Sequence, residues 1–254
     1  MNSDVDKVII SAPNLVTIVY WGSNGDLVYQ NVPSLVEVQF GGDCAKDMID
    51  QLSCSLSQLE TLNLTADMNT FRPIPFPSFS NLKRLVSDLS AHRHRSILMW
   101  SHLIDASPSL RELKLELDWW EWVYMSERFN WGTKATNKIH LCLDDVRIVG
   151  FAGCNADVEF ATYLMKTAPL LKRFTIDTHE PTAVRSDKYG ISKKEKVRRR
   201  HARHCVQRLA QQQFPPTLDV VIIKTHYNVE MGVSKYHLTI NFFVVTRYVF
   251  YASL

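Results

Sequence analysis

The feature that most limits how this chain can fold is a short unit that recurs along most of its length: Pro/Ser-x-Leu-x-x-apolar-x-apolar. It occurs as Ala12-Pro13-Asn14-Leu15 leading to Ile18 and Tyr20, and as Val32-Pro33-Ser34-Leu35 leading to Val38 and Phe40. It returns as Ser107-Pro108-Ser109-Leu110 leading to Leu113 and Leu115, and as Ala168-Pro169-Leu170-Leu171 leading to Phe174 and Ile176. Two copies carry Ser in place of Pro, Ser57-Gln58-Leu59 before Leu62 and Leu64, and Ser80-Asn81-Leu82 before Leu85. A weaker copy runs from Leu143 to Val146 and Ile148. The last two apolar positions lie two residues apart, so in an extended chain they share one face. Proline cannot continue a helix and biases its predecessor to extended geometry. Each unit therefore ends the preceding element, turns, and runs one strand with a buried face.

The anchoring leucines 15, 35, 59, 82 and 110 stand 20, 24, 23 and 28 residues apart. Strand units at such a period predict an α/β leucine-rich-repeat solenoid, a curved parallel sheet with helices and loops on its convex side. Between the first two units lies the turn-rich Gly22-Ser23-Asn24-Gly25-Asp26, with little room for a helix. Later gaps are longer. Asp43 caps a predicted helix with Ala45, Met48, Ile49, Leu52 and Leu56 on one face, and Ile97, Trp100, Ser101 and Ile104 mark a second. A third is predicted from Asn155 as cap, with Asp157 and Glu159 in the first turn and Val158, Ala161, Met165 and Ala168 inward. The fourth strand reads as weak, because Ser87 stands where an apolar residue belongs.

The organisation predicted is a solenoid over 1–177, a basic helix with a capping strand over 178–223, and an apolar tail over 224–254. Ser192-Lys193-Lys194-Glu195 is a capping box opening a helix that buries Ala202, Cys205, Val206 and Leu209. From His237 to Leu254 only Arg247 is charged, but Thr239, Asn241, Thr246 and Arg247 argue against a membrane span. An added strand or a tail of uncertain order is expected there. No signal peptide is visible, since Asp4, Asp6 and Lys7 open the chain.

Net charge is +3, but seven Lys/Arg and one Glu between Lys193 and Arg203 put +6 into that run alone. The remainder is about −3 by subtraction, which argues against a general affinity for nucleic acid. Lys193, Lys194, Lys196, Arg198, Arg199, Arg200 and Arg203 have three readings: a solvated helix face, a nuclear-import signal, or a phosphate-binding patch. The tryptophans Trp119, Trp120, Trp122 and Trp131 read either as a binding surface or as an insertion covering the solenoid with its rings. Five cysteines without CxxC spacing (Cys44, Cys54, Cys142, Cys154, Cys205) read as free thiols. His92, His94, His201 and His204 lack partners at metal-ligand spacing, and no phosphate loop, nucleophile elbow or His-Glu-x-x-His occurs. No catalytic, metal or cofactor set is therefore predicted.

The surface left for function is the inner curve, where residues between the buried strand positions face out. These are Thr17, Glu37, Gln39, Thr61, Asn63, Arg84, Glu112, Lys114, Asp145, Arg147 and Arg173, with Val19, Val86 and Thr175 among them. Their mixed sign suits a protein partner or a small polar ligand.

The order Val146-Arg147-Ile148-Val149-Gly150-Phe151-Ala152-Gly153, Asp157-Val158-Glu159-Phe160, Ala168-Pro169-Leu170-Leu171-Lys172-Arg173-Phe174, then Ala202-Arg203-His204-Cys205 and Pro215-Pro216 resembles the C-terminal region of plant F-box/leucine-rich-repeat proteins of the FBD type. The resemblance implies the substrate-recognition part of an SCF-type ubiquitin ligase, a non-enzymatic protein-binding role, in the cytoplasm or nucleus. Members of that family begin with an F-box that docks the Skp1 adaptor of a cullin ligase. This sequence opens inside its repeats, so ligase coupling requires an F-box upstream. The alternatives are a stand-alone scaffold or decoy, and a nucleic-acid binder acting through the basic helix.

Overall fold

A computed structural model describes residues 7–21, 26–41, 57–68, 76–91, 96–119, 137–179, 181, 193–225 and 243–248. The predicted helix over 45–56, the pair His92 and His94, the cysteines Cys44 and Cys54, the cap Ser192, and Trp120, Trp122 and Trp131 lie outside the described residues.

Every predicted unit folds as it reads. The N–H of the anchoring leucine closes a turn onto the carbonyl three residues back, at Leu15–Ala12 (3.1 Å), Leu35–Val32 (3.2 Å), Leu82–Phe79 (3.3 Å), Leu110–Ser107 (3.1 Å) and Leu171–Ala168 (3.2 Å). Where Pro follows the residue whose carbonyl accepts that bond, its fixed φ suits the first central turn position. A strand follows each turn: β2 (Thr17–Trp21), β4 (Glu37–Gly41), β5 (Thr61–Asp67), β6 (Arg84–Ala91), β7 (Glu112–Trp119), β8 (Asp145–Val149), β9 (Arg173–Asp177) and β10 (Asp219–Thr225). Together they make eight parallel strands of a nine-stranded sheet in the order β2-β4-β5-β6-β7-β8-β9-β10-β11. The last strand, β11 (Phe243–Tyr248), pairs antiparallel with β10.

The registers put like positions side by side. Ile18, Val38, Leu62, Leu85, Leu113, Val146, Phe174 and Val220 form one inward row. Leu35, Leu59, Leu82 and Leu143 are fully buried beneath it. Each such leucine contributes about 1.5–3 kcal/mol by leaving water. A second device joins the slices. One carbonyl accepts two successive N–H groups of the next unit: Val36 serves Glu60 and Thr61, Glu60 serves Lys83 and Arg84, and Lys83 serves Arg111 and Glu112. At the turns, side chains tie neighbours the same way, through Gln58 to the Val32 carbonyl, Asn81 to that of Ser57, and Ser109 to that of Ser80.

The opposite layer departs from expectation at the start. The predicted turn Gly22-Ser23-Asn24-Gly25 lies outside the described residues, but on either side of β2 the segments β1 (Lys7–Ser11) and β3 (Asp26–Gln30), which the repeat pattern does not announce, form a two-stranded parallel sheet. Two slices only 20 residues apart have no length for a helix, and extended segments serve instead; Tyr29 and Ile10 pack into the core. Farther along, a 3-10 turn (Ile97–Trp100) leads into α1 (Ser101–Asp105), and α2 (Asn155–Thr167) and α3 (Lys193–Gln212) follow. The predicted inward faces of α1 and α3 are the buried ones. On α2 the buried stripe is rotated, with Phe160 and Leu164 at its centre and Val158 and Met165 half-buried at its margin.

The cap of α2 also differs. Cys154, not Asn155, is the capping residue, and Asp157 turns inward. Its Oδ2 accepts N–H groups of Ala152 and Gly153 (2.8 Å each) and Cys154 (3.3 Å). Burial pushes its carboxyl up to about 6, against the pull of those donors. Gly150 and Gly153 make the tight approach possible at φ 83° and 77°, and any side chain on Gly150 would strike the Leu117 carbonyl.

Candidate functional site

The outward side chains of the parallel strands stand in rows as regular as the buried ones. The first is Thr17, Glu37, Thr61, Arg84, Glu112, Asp145, Arg173 and Asp219; the second is Val19, Gln39, Asn63, Val86, Lys114, Arg147, Thr175 and Val221. All eleven residues expected on the inner curve therefore lie on one face, each exposed or half-exposed. The structure adds a third row that pattern reading passed over: Trp21, Gly41, Thr65, Asp88, Glu116, Val149 and Asp177. Its signal was the continuation of the same alternation, two residues beyond the positions considered.

Charge is not uniform across this face. From β6 to β10 it is largely neutralised within the sheet. Arg84 Nε stands 3.6 Å from Glu112, and Lys114 Nζ 2.5 Å from Glu116. Arg173 lies between Asp145 (3.5 Å) and Asp219 (3.7 Å), and Arg147 reaches Asp177 at 3.9 Å. Burial raises the Asp145 carboxyl pKa, with Arg173 pulling the other way. From β2 to β5 the face is mostly uncharged. Glu37 accepts a hydrogen bond from Asn63 Nδ2 at 3.3 Å, beside threonines, Gln39, Val19 and Trp21.

The basic run over α3 is divided by burial. Arg199 and Glu195 are buried, and Arg199 Nε donates to Glu195 Oε1 at 2.5 Å. Arg198 donates to both Glu195 oxygens and to the Thr178 carbonyl, all at 2.8 Å. Burial opposes the Glu195 charge, yet the bonds and charges of Arg198 and Arg199 hold its pKa below the ordinary carboxylate range. The Arg203 guanidinium donates to the Arg199 carbonyl at 3.1 Å. Lys193, Lys194, Lys196 and Arg200 are exposed, whereas Arg198 and Arg203 are half-buried. Glu195, the single acid in the run, reaches positions three and four ahead on the helix and draws Arg198 and Arg199 inward.

Other buried polar groups serve the packing. His140 Nε2 lies 2.9 Å from the Tyr163 hydroxyl and 3.2 Å from Asp105, between α1 and α2. Burial lowers the pKa of this imidazole. His179 Nδ1 meets Asp177 Oδ1 at 2.5 Å. Among the described residues no group of three or more His, Cys, Asp or Glu is placed to hold a metal ion. His201 approaches the Gly153 carbonyl at 3.4 Å, while His204 is exposed. Cys142, Cys154 and Cys205 are free thiols, and burial pushes those of Cys154 and Cys205 up, away from the reactive thiolate.

This ladder of parallel strands and buried leucines matches the family described as At1g61320/AtMIF1, LRR domain, over residues 2–225. The chain belongs to that family. The matched stretch runs from β1 to the end of β10, so the leucine-rich-repeat (LRR) domain takes in α3 and its Glu195 cluster, and β11 lies beyond it. A curated relative of the LRR domain is an FBD-associated F-box protein of Arabidopsis thaliana, At1g61330, 23% identical over 210 residues. That alignment covers 70% of this chain and 46% of the relative, so the chain spans about half the relative's length. No solved structure matches the chain. Among the described residues no helix is long and apolar enough to cross a membrane.

Proposed function

We propose that the chain is a non-enzymatic interaction module that recognises a protein target on the outward face of its parallel sheet. Its place is that of the substrate-recognition part of an SCF-type ubiquitin-ligase adaptor in the cytoplasm or nucleus. The observation that carries this reading is the row arrangement: Glu37, Gln39, Asn63, Arg84, Glu112, Lys114, Asp145, Arg147 and Arg173 recur at fixed strand positions on a rigid sheet. Such a surface offers many spaced hydrogen-bond and charge partners at low ordering cost. Membership of an LRR family and a relative described as an F-box protein support it.

Two experiments test it. Partners co-purifying with the tagged chain should be lost from a variant carrying Arg84→Glu and Lys114→Glu and kept by Lys196→Glu. Retention by the sheet variant refutes the assigned face. Pull-down of Skp1 by the full-length protein supports delivery to a ligase, whereas target binding without Skp1 favours the stand-alone scaffold or decoy.

A nuclear-import or nucleic-acid role for the basic run is left with Lys193, Lys194, Lys196 and Arg200, because Arg198 and Arg199 are engaged with Glu195.

A further inference from the structure

Over β2 to β10 the outward face carries one large aromatic side chain among its described residues, and a glycine beneath gives it room. Trp21, on the edge strand β2, is 57% exposed, and its neighbour Val19 is 58% exposed. Trp21 stands opposite Gly41 of β4. The indole six-membered ring fills the space that a Cβ on Gly41 would need, and Gly41 is buried beneath it. The ring is therefore laid on the sheet instead of projecting freely into water. A half-exposed aromatic fixed in advance loses little conformational freedom on binding, which is the property of an interface anchor.

The surroundings specify what such an anchor accepts. Beside it stand Gln39, Asn63 and Thr65, half-buried and uncharged, and the nearby Glu37 carboxylate already accepts from Asn63. The charges of β6 to β10 pair across their own strands. An acidic segment laid over β2 to β5 would give up hydration beside the Glu37 and Asp67 carboxylates and a basic one would meet only those two among the described residues, whereas an apolar side chain would cover Trp21 and Val19 and leave main-chain groups to the amides.

We infer that the β2–β5 part of the face binds an extended, uncharged peptide segment that seats a proline, aliphatic or aromatic side chain on Trp21. This rests on the proposed function, narrowing its target to one chemistry and one anchor.

Panning a random peptide library on the intact chain, followed by affinity measurement of the synthetic peptides, tests it. Enriched peptides should have net charge near zero and one large apolar residue or proline, and their affinity should change little from low to high salt. Trp21→Ala should weaken them about tenfold or more. Gly41→Ala, which displaces the ring without removing it, should weaken them to a lesser degree, and Lys114→Ala should leave them unchanged. Thermal melts confirm that each variant is folded. If Trp21→Ala melts early, Gly41→Ala and Val19→Asp carry the same comparison. Recovery of no peptide that needs Trp21 overturns the inference, as does a set of charged, salt-sensitive peptides. Peptides that need Lys114 or Arg173 instead would remove the Trp21 anchor and leave the wider face standing. Peptides indifferent to both would remove the face as well.

Discussion

Ser87 faces the interior between Leu64 of β5 and Leu115 of β7, fully buried, and its hydroxyl has no hydrogen-bond partner. Such a group gave up water and recovered nothing, a cost of about 1–3 kcal/mol. Ser87→Ala removes the hydroxyl and keeps nearly the same volume, so the variant should melt higher, by about 2–4 °C for each kcal/mol gained in a chain of this size. A lower melting temperature would mean that the hydroxyl is satisfied in a way the packing does not reveal. In sequence Ser87 looks like a flaw that weakens its strand, yet β6 spans eight residues. The strand is specified by the ladders on either side, and one polar side chain costs energy without breaking the pairing. Asp157 teaches the same lesson in reverse. Its place near a helix start was legible, but its rotation inward onto the Ala152, Gly153 and Cys154 N–H groups was not. Residue type records the affinity of a carboxylate for N–H donors, whereas the turn made by Gly150 and Gly153 decides where those donors are.

For whole elements, alternation proved the stronger signal and charge the weaker. The strand units rest on a two-residue alternation that tertiary packing reinforces at every slice, and each of them is a strand. The charge run on α3 reads as one exposed block because composition carries no direction. Burial splits it: Glu195, Arg198 and Arg199 turn into the junction with the Thr178 segment, and Lys193, Lys194, Lys196 and Arg200 turn out. This has an energetic consequence. Glu195→Ala leaves the Arg199 cation buried with its carboxylate removed, and loss of one partner of a buried pair costs about 3–5 kcal/mol. Lys196→Ala, on the solvated side, should change stability by no more than about 0.5 kcal/mol. Urea unfolding of the two variants separates them. Equal midpoints would show that the Glu195 cluster contributes no more than a surface ion pair. β1 and β3 were illegible for a different reason: they stand where later slices use helices, so no repeated pattern announces them.

Among the described residues the slices form a stack in which the inner ones have neighbours on two sides and the β2 slice has one. Leu62 of β5 lies between Val38 and Leu85 and is fully buried. Ile18 of β2 meets Val38 alone in its row and keeps 7% of its surface. In a stack held by nearest-neighbour terms, damage at an end stays local and damage in the middle cuts the array. Leu62→Ala should cost about 3–5 kcal/mol, from lost burial and a cavity that packed neighbours on both sides cannot close. Ile18→Ala should cost about 2 kcal/mol, toward the low end for such truncations, since the end slice can relax. Amide hydrogen exchange reads the difference directly. Ile18→Ala should speed exchange in β2 and β4 and leave β8 to β10 at wild-type rates, because opening a terminal slice does not require the distant slices to open. Leu62→Ala should speed exchange on both sides of β5. If Ile18→Ala accelerates β9 and β10 as much as β4, the chain opens as one cooperative block. Its slices would then not be the units of stability, and the Trp21 end of the face could not be altered without disturbing the Arg173 end.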